Sequence, residues 1–241
     1  MQSSFYVGLS GQMTVERRLT TIAQNIANMN TAGYKAEGVT FDTVLSQTGE
    51  TPVAFSANGA DYIDRSGGER VKTDNPLDVA VQGDAWFGVK TAQGTVYTHD
   101  GRMQMSPTGQ LLTVNGDAVL DAGGSGLILD PAGGAPTISS DGMITQNGAQ
   151  MGAIGLFSID PSAHLTRAAG SGVIPDQAAT PVLDFAATGV LQGFVENSNI
   201  NPVLEITKLI NVQHNLDGVT QANQTADTSL QDAIKALGSQ S

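Results

Sequence analysis

Residues 209–237 read LINVQHNLDGVTQANQTADTSLQDAIKAL. Within them Leu209, Val212, Leu216, Val219, Asn223, Ala226, Leu230, Ala233 and Leu237 follow one another at alternating spacings of 3 and 4, and no charged residue falls on that line. Side chains so spaced share one face of an α-helix, and a face this narrow matches a coiled-coil seam. An ordinary amphipathic helix lying on a globular core is the alternative that the pattern leaves open. Pro202 suits a first helical turn, Asn199 or Asn201 is the candidate N-cap, and Gly238 suits the stop.

The other end of the chain mirrors this one. Val15, Leu19, Ile22, Ile26 and Met29 recur at spacings of 4, 3, 4 and 3, in a stretch with no proline and only Gly8 and Gly11 as glycines. Asn28 to Gly33 then reads as a helix stop, since Asn and Gly accept the left-handed conformation that ends helices. Between the two helices, from Gly83 to Gly193, glycines punctuate short apolar runs such as Trp86-Phe87-Gly88-Val89 and Ile154-Gly155-Leu156-Phe157. The pairs Asp100-Gly101, Asn115-Gly116, Asp141-Gly142 and Asn147-Gly148 predict tight turns, so this zone is expected to be all-β. Residues 36–73 are polar and aperiodic and suggest an extended linker with one short strand.

The fold class is therefore α+β. A stem helix spans residues 1–33, a linker 34–74, a central all-β domain 75–195 and a second stem helix 196–241. The terminal helices are expected to pair as a coiled-coil-like stem. Two helices shield only part of each other's apolar surface, so the seams point to partner subunits.

The 241 residues include 23 acidic and 11 basic side chains, a net charge of −12, with the excess mostly on the β zone. That balance argues against nucleic acid and against an anionic membrane surface, both of which call for clustered Lys and Arg. With no cysteine, thiolate chemistry and disulfides are excluded. No apolar run approaches the roughly 20 residues that span a bilayer, and no basic segment precedes an apolar one as in a cleavable leader. These signals alone suggest a cytosolic protein.

Catalytic constellations are absent from the pattern. His99, His164 and His214 are far apart in sequence and lie in no ligand-spaced motif, so a surface or interfacial place is expected for each. Most aspartates of the β zone adjoin glycine or proline, which is turn chemistry. Gly123-Gly124-Ser125-Gly126 fits neither a dinucleotide fingerprint nor a P-loop. Neither metal nor cofactor is expected. Trp86 and Phe87 lie mid-strand, so at least one should be core.

Residues 23–35, AQNIANMNTAGYK, resemble the "ANNxANxxTxGFK" signature of flagellar axial proteins, the rod and hook components of the bacterial flagellum. The resemblance rests on Asn25, Asn28, Thr31, Gly33 and Tyr34, with Gln24 and Tyr34 as mild departures. Asn75, Pro76, Leu77 and Asp78 open a block similar to "NPLDVAIxGxGFF…YTRDG", which continues to Tyr97-Thr98-His99-Asp100-Gly101. Glu196-Asn197-Ser198-Asn199-Ile200-Asn201 resembles the "ExSNVNxVxE" entry to the last helix, carried here by Ser198 and Asn199. Where family members usually carry Gln-Arg, an aromatic and Glu in that helix, this chain has Gln213-His214-Asn215-Leu216-Asp217, so an arginine-mediated subunit contact is not carried over.

The resemblance implies a structural subunit, not an enzyme. Its partners would be copies of itself, other rod proteins and the flagellar type III export apparatus, with no nucleic acid and no membrane insertion. It revises the location to the periplasmic rod of the basal body, reached by export from the cytoplasm. The length suits a rod member, most similar to the proximal-rod type with the distal-rod type as alternative. The implied assembly interface is the seam itself, Val15, Leu19, Ile22, Ile26 and Met29 with Leu209, Val212, Leu216, Val219, Ala226, Leu230 and Leu237. A monomeric wall-acting β enzyme and a surface adhesin are the rival readings.

Overall fold

A computed structural model of the chain describes residues 2–46 and 53–238; side chains are described from residue 7, except at 42–46, 53–58, 226, 227, 230, 233, 234 and 236–238. Ala226, Leu230 and Leu237 of the C-terminal seam therefore lie outside the described side chains. The fold is α+β, with two terminal helices and a central β-rich region. It divides into two compact units, one of residues Met1–Ala27, Glu37–Tyr62 and Asn201–Ser241, the other of Asn28–Ala36 and Ile63–Ile200.

In the first unit, α1 (Gln2–Ala27) and α2 (Pro202–Gly238) lie antiparallel, with Gly8 against the side chain of Asn223 and Asn25 beside Glu205. The 3,4 spacing explains the contact. Ile22 and Val212 are buried, and Val15, Leu19, Ile26, Leu209, Leu216 and Val219 are partly buried. Threonines within α1 satisfy their hydroxyls on the preceding turn, Thr14 on the Ser10 carbonyl and Thr20 on that of Glu16. Of the two candidate caps, Asn201 is the one used. Its Oδ1 accepts from Leu204 N at 3.2 Å and its carbonyl from Glu205 N at 3.0 Å, with Pro202 at the first helical position.

Two expectations change here. The N-terminal helix stops at Ala27 rather than at residue 33, so Met29 is off the stem and sits, partly buried, in the turn that follows. The stretch expected to be a linker carries β1 (Glu37–Ser46) and β2 (Val53–Ile63), which pair as a two-stranded sheet, and β3 (Arg70–Lys72), which pairs antiparallel with Phe194–Glu196. Neither strand of the pair β1–β2 sustains a period of two along its sequence, so nothing local announces it.

The second unit is built around β5 (Trp86–Thr91), which pairs antiparallel with β6 (Gly94–Thr98), with Leu156–Ser158 and with Ala118–Val119. Successive residues of a strand face opposite ways, and both faces of β5 are covered. Phe87 lies in the larger core with Val79, Leu111, Val119, Ile144, Leu156 and Val190; Trp86 lies in a smaller one with Ile159, Ala163, Leu165 and Val173. Both aromatics are fully buried. β4 (Val79–Gln82) pairs antiparallel with Gly189–Gln192.

Asn147-Gly148 forms the expected two-residue turn, with φ of 48° and 76° between Met143–Gln146 and Ala149–Ala153. Asp100-Gly101 does not. Gly101 avoids the left-handed region and is needed for close approach, since a Cβ there would lie 1.6 Å from the Val79 carbonyl oxygen.

Candidate functional site

The residues of the three sequence blocks converge mainly on one buried polar cluster in the second unit. Its centre is Glu196, at the end of the strand paired with β3. Lys35 Nζ donates to Glu196 Oε1 at 2.7 Å and to the Ser66 carbonyl at 2.9 Å. His99 Nδ1 stands 2.9 Å from Glu196 Oε2, and Gly68 N donates to Oε1 at 2.8 Å. The Glu196 backbone carbonyl accepts from Gly33 N at 2.8 Å. Side-chain exposure is 1% for Lys35, 3% for Glu196 and 6% for His99. An ion pair this deep is sustained by further hydrogen bonds, which Lys35 donates to the Ser66 carbonyl and which Gly68 N and His99 donate to Glu196.

Burial raises the Glu196 carboxyl, but the hydrogen bonds from His99 and Lys35 and their charges outweigh it and hold the group at about 2. For His99 burial wins. It lowers the imidazole below the usual histidine value, and the Lys35 charge adds to that, against the pull of Glu196 and Asp84. A neutral imidazole facing a carboxylate must carry its proton on Nδ1 and donate it. The ring also stands edge-on to Trp86, with centroids 4.2 Å apart. The expectation of a surface or interfacial place therefore fails for His99, whereas His164 and His214 are exposed.

Around this centre the motif residues close one chain segment onto another. Asn199 Oδ1 accepts from Ala36 N at 2.7 Å, its N donates to the Tyr34 carbonyl at 3.3 Å, and its Nδ2 donates to the carbonyls of Asp64 and Ser66 at 3.1 Å. Ser198 Oγ accepts from Ile200 N at 3.3 Å. Tyr34 is buried under the Arg167 guanidinium, 4.1 Å from its ring centroid, and Arg167 also donates to the Lys35 carbonyl. Gly33 has φ of 66°, and a Cβ there would sit 2.1 Å from Asp100 N. The glycine thus serves as a close approach to the His99–Asp100 backbone, six residues beyond the helix end. Asn28 and Thr31 make the turn before it, Thr31 N donating to the Asn28 carbonyl at 3.0 Å and Thr31 Oγ1 to Asn28 Oδ1 at 3.2 Å.

The Asn75–Asp78 block lies to one side. Asn75 Nδ2 donates to Asp78 Oδ1 at 3.0 Å, Asn75 Oδ1 accepts from Leu77 N, and Leu77 packs on the larger core. The Pro76 carbonyl accepts from Gln192 Nε2 at 2.8 Å, and the Asp78 carbonyl from Gly193 N at 2.7 Å. The turn thus fastens the start of β4 to the segment that leads into Glu196. Asn25 belongs to the first unit. Its side-chain amide donates to the Glu37 carbonyl and accepts from Glu37 N, each at 2.9 Å, as a neighbouring strand would.

Reading the sequence missed Lys35, Glu196 and His99 as a set, and Arg167 altogether. The available signal was one charged residue at an end of each of two blocks otherwise made of turn formers, Lys35 after Gly33-Tyr34 and Glu196 before Asn197-Ser198-Asn199. Among the described residues, the seam side chains of the two helices are buried or partly buried, while the helices' exposed large apolar side chains are Leu9, Met13, Val203, Leu204, Ile206 and Ile210. A cavity of about 120 Å³ in the first unit is lined by Arg18, Asn25, Glu37, Glu205 and Lys208 among others, a mixed-charge lining with no directed chemistry. Among the described residues no group of three or more His, Asp or Glu could hold a metal ion, and no helix is long and apolar enough to cross a membrane.

Three family models match parts of the chain, and curated relatives match its whole length. The family models described as "Flagella basal body rod protein", "Flagellar hook protein FlgE/F/G D1 domain" and "Flagellar basal body rod FlgEFG protein C-terminal" match residues 5–35, 80–146 and 191–236. The chain is similar to the flagellar basal-body rod protein FlgF of Mesorhizobium japonicum, 46% identical over the whole of both chains. It is 41% identical to that of Rhizobium meliloti over 99% of each chain. It is 30% identical to the basal-body rod protein FlgG of Bacillus subtilis over 97% of this chain and 98% of that one. The chain belongs to the flagellar basal-body rod protein family.

Proposed function

We propose that the chain is a structural subunit of the flagellar basal-body rod, of the proximal, FlgF type, and acts by assembly rather than by turnover. The observation that carries this reading is the full-length 46% identity to a FlgF protein. The distal-rod reading is weaker, with 30% identity to a FlgG. Its partners are other rod and hook proteins, copies of itself among them, and it reaches the periplasm unfolded through the flagellar type III export apparatus.

In this reading the stripes Val15, Leu19, Ile22, Ile26 and Leu209, Val212, Leu216, Val219 hold a coiled-coil-like helix pair together. Neighbouring subunits meet the apolar side chains that this pair leaves exposed. From Pro202 to Leu216 the charged residues of α2 are Glu205, which is buried, and Lys208, which pairs with it at 2.6 Å. Apart from Lys208, 42% exposed and paired, the solvent-facing side chains of those turns are uncharged, with Val203 75% and Leu204 51% exposed. A contact surface with so little charge suits packing against another helix.

The test is a strain deleted for this chain, complemented with wild type or with Ile206→Asp/Ile210→Asp. The deletion should be non-motile, with basal bodies that lack a complete rod by electron microscopy. The double variant should be exported yet fail to restore motility. A deletion strain that swims, with complete rods, refutes the rod role; a double variant that swims refutes only the surface.

A further inference from the structure

We infer that His99 makes the closure of residues 28–36 onto residues 194–199 acid-sensitive, so that this clasp opens locally as the medium turns acid while the strands around it stay folded.

The geometry is that of one carboxylate shared by two basic groups. Glu196 takes Lys35 on Oε1 at 2.7 Å and His99 on Oε2 at 2.9 Å, all three within a region almost free of solvent. While the imidazole is neutral, the centre holds one negative and one positive charge, and Lys35, His99 and Gly68 N all donate to the carboxylate. A proton on His99 leaves two positive charges against one negative charge. It also gives Nε2 a second charged N–H to satisfy beside the Trp86 ring. The groups that face His99 are Glu196 from the strand paired with β3, Lys35 from the segment after α1, Asp84 from the turn before β5, and the Trp86 ring of β5. Of these only Asp84 could offset the new charge, and it is exposed to water. The neighbouring Asp100 is already engaged by Arg102 at 2.7 and 2.9 Å.

The sign follows from linkage. Burial sets the folded imidazole below its value in an open chain, so the open form binds the proton more readily. The contribution of His99 to closure is complete above the ordinary histidine value of about 6.5, and is lost as pH falls from there through the lowered value. Glu196, held at about 2, stays ionised throughout this range, so the loss belongs to the histidine. Within the clasp the histidine is therefore the group whose charge changes as the medium passes from neutral to mildly acid.

Hydrogen exchange of the full chain at about pH 7.5 and about pH 5, normalised to the chemical exchange rate, tests this. Peptides covering 28–36, 64–70 and 194–200 should lose about tenfold in protection on acidification, as one proton taken up by the open form allows. Peptides from 79–91 should not. His99→Arg and His99→Gln should each flatten the pH response, one by fixing the charge and the other by removing it. Clasp peptides of the wild type that follow 79–91 at both pH values overturn the inference, whatever the variants do. An undiminished acid response in a folded variant of either kind overturns it as well. The readout is protection, not motility, so the result is independent of the rod reading.

Discussion

Glu196→Gln is the sharpest probe of the clasp, because it changes one charge and almost no volume. The amide that replaces the carboxylate has one oxygen, which can still accept from Gly68 N, while its NH2 then meets His99 Nδ1 and requires the other imidazole tautomer. Lys35 keeps its ammonium at 1% exposure with no counter-charge. Removing one partner of a buried pair costs about 3–5 kcal/mol, most of it the penalty on the charge left behind. The carboxyl held at about 2 points the same way: its ionised form is favoured by the fold, so that stability is present above the ordinary value near 4.5 and lost as pH falls toward 2. For a chain of this length, 1 kcal/mol moves the melting temperature by about 2–4 °C, so a drop of about 10 °C is expected. The chain's one tryptophan, Trp86, is fully buried and stands edge-on to His99, so its fluorescence in a urea titration reports the unit that holds the clasp. Lys35→Met with Glu196→Gln removes the stranded charge and should be clearly more stable than Glu196→Gln alone. A loss under about 1 kcal/mol, or a double variant whose loss is the sum of the two single ones, would refute the reasoning.

Gly33→Val should cost at least about 2 kcal/mol in the same Trp86 transition, since it adds left-handed strain to a Cβ placed 2.1 Å from Asp100 N. An unchanged transition would mean that Gly33 does no more than follow a helix. Asn201→Ala should lower helix stability by about 1 kcal/mol, read as a lower midpoint of ellipticity at 222 nm with the Trp86 midpoint unmoved. Equal shifts in both signals would contradict its role as a cap.

The helices were legible because a period near 3.6 is written locally, and each seam residue reports on its neighbours three and four places away. The turn Asn147-Gly148 and the burial of at least one of Trp86 and Phe87 were legible for a similar reason, being set by adjacent residues; that both are buried was not. What failed was long-range or degenerate. Lys35 and Glu196 are 161 positions apart and His99 and Glu196 are 97 apart, and no local pattern records such a partnership. Gly33 was misread because a glycine after a helix looks the same whether it ends the helix or lets two backbones touch. Asn199 and Asn201 both precede Pro202, and only their contacts tell the clasp residue from the cap. The strands β1 and β2 sustain no period of two in sequence, so nothing local announced the ribbon.

Closing the clasp also changes what it costs to pair the helices. Ala27 and Pro202 bound a loop of roughly 170 residues in an open chain, and closing a loop costs entropy as the logarithm of its length. Once Lys35 is joined to Glu196, the flexible path from the end of α1 to the start of α2 runs only along residues 28–35 and 196–201, roughly 15 in all. The difference in closure entropy is about 2 kcal/mol in favour of the paired helices, with no contact added between them. A chain with Glu196→Gln should therefore show weaker helix pairing as well as a weaker β-rich unit. The 222 nm and Trp86 midpoints should fall together, in contrast to the separation expected for Asn201→Ala. If ellipticity in Glu196→Gln holds while Trp86 melts early, the helices pair without help from the clasp, and closure of the β-rich unit contributes nothing to them.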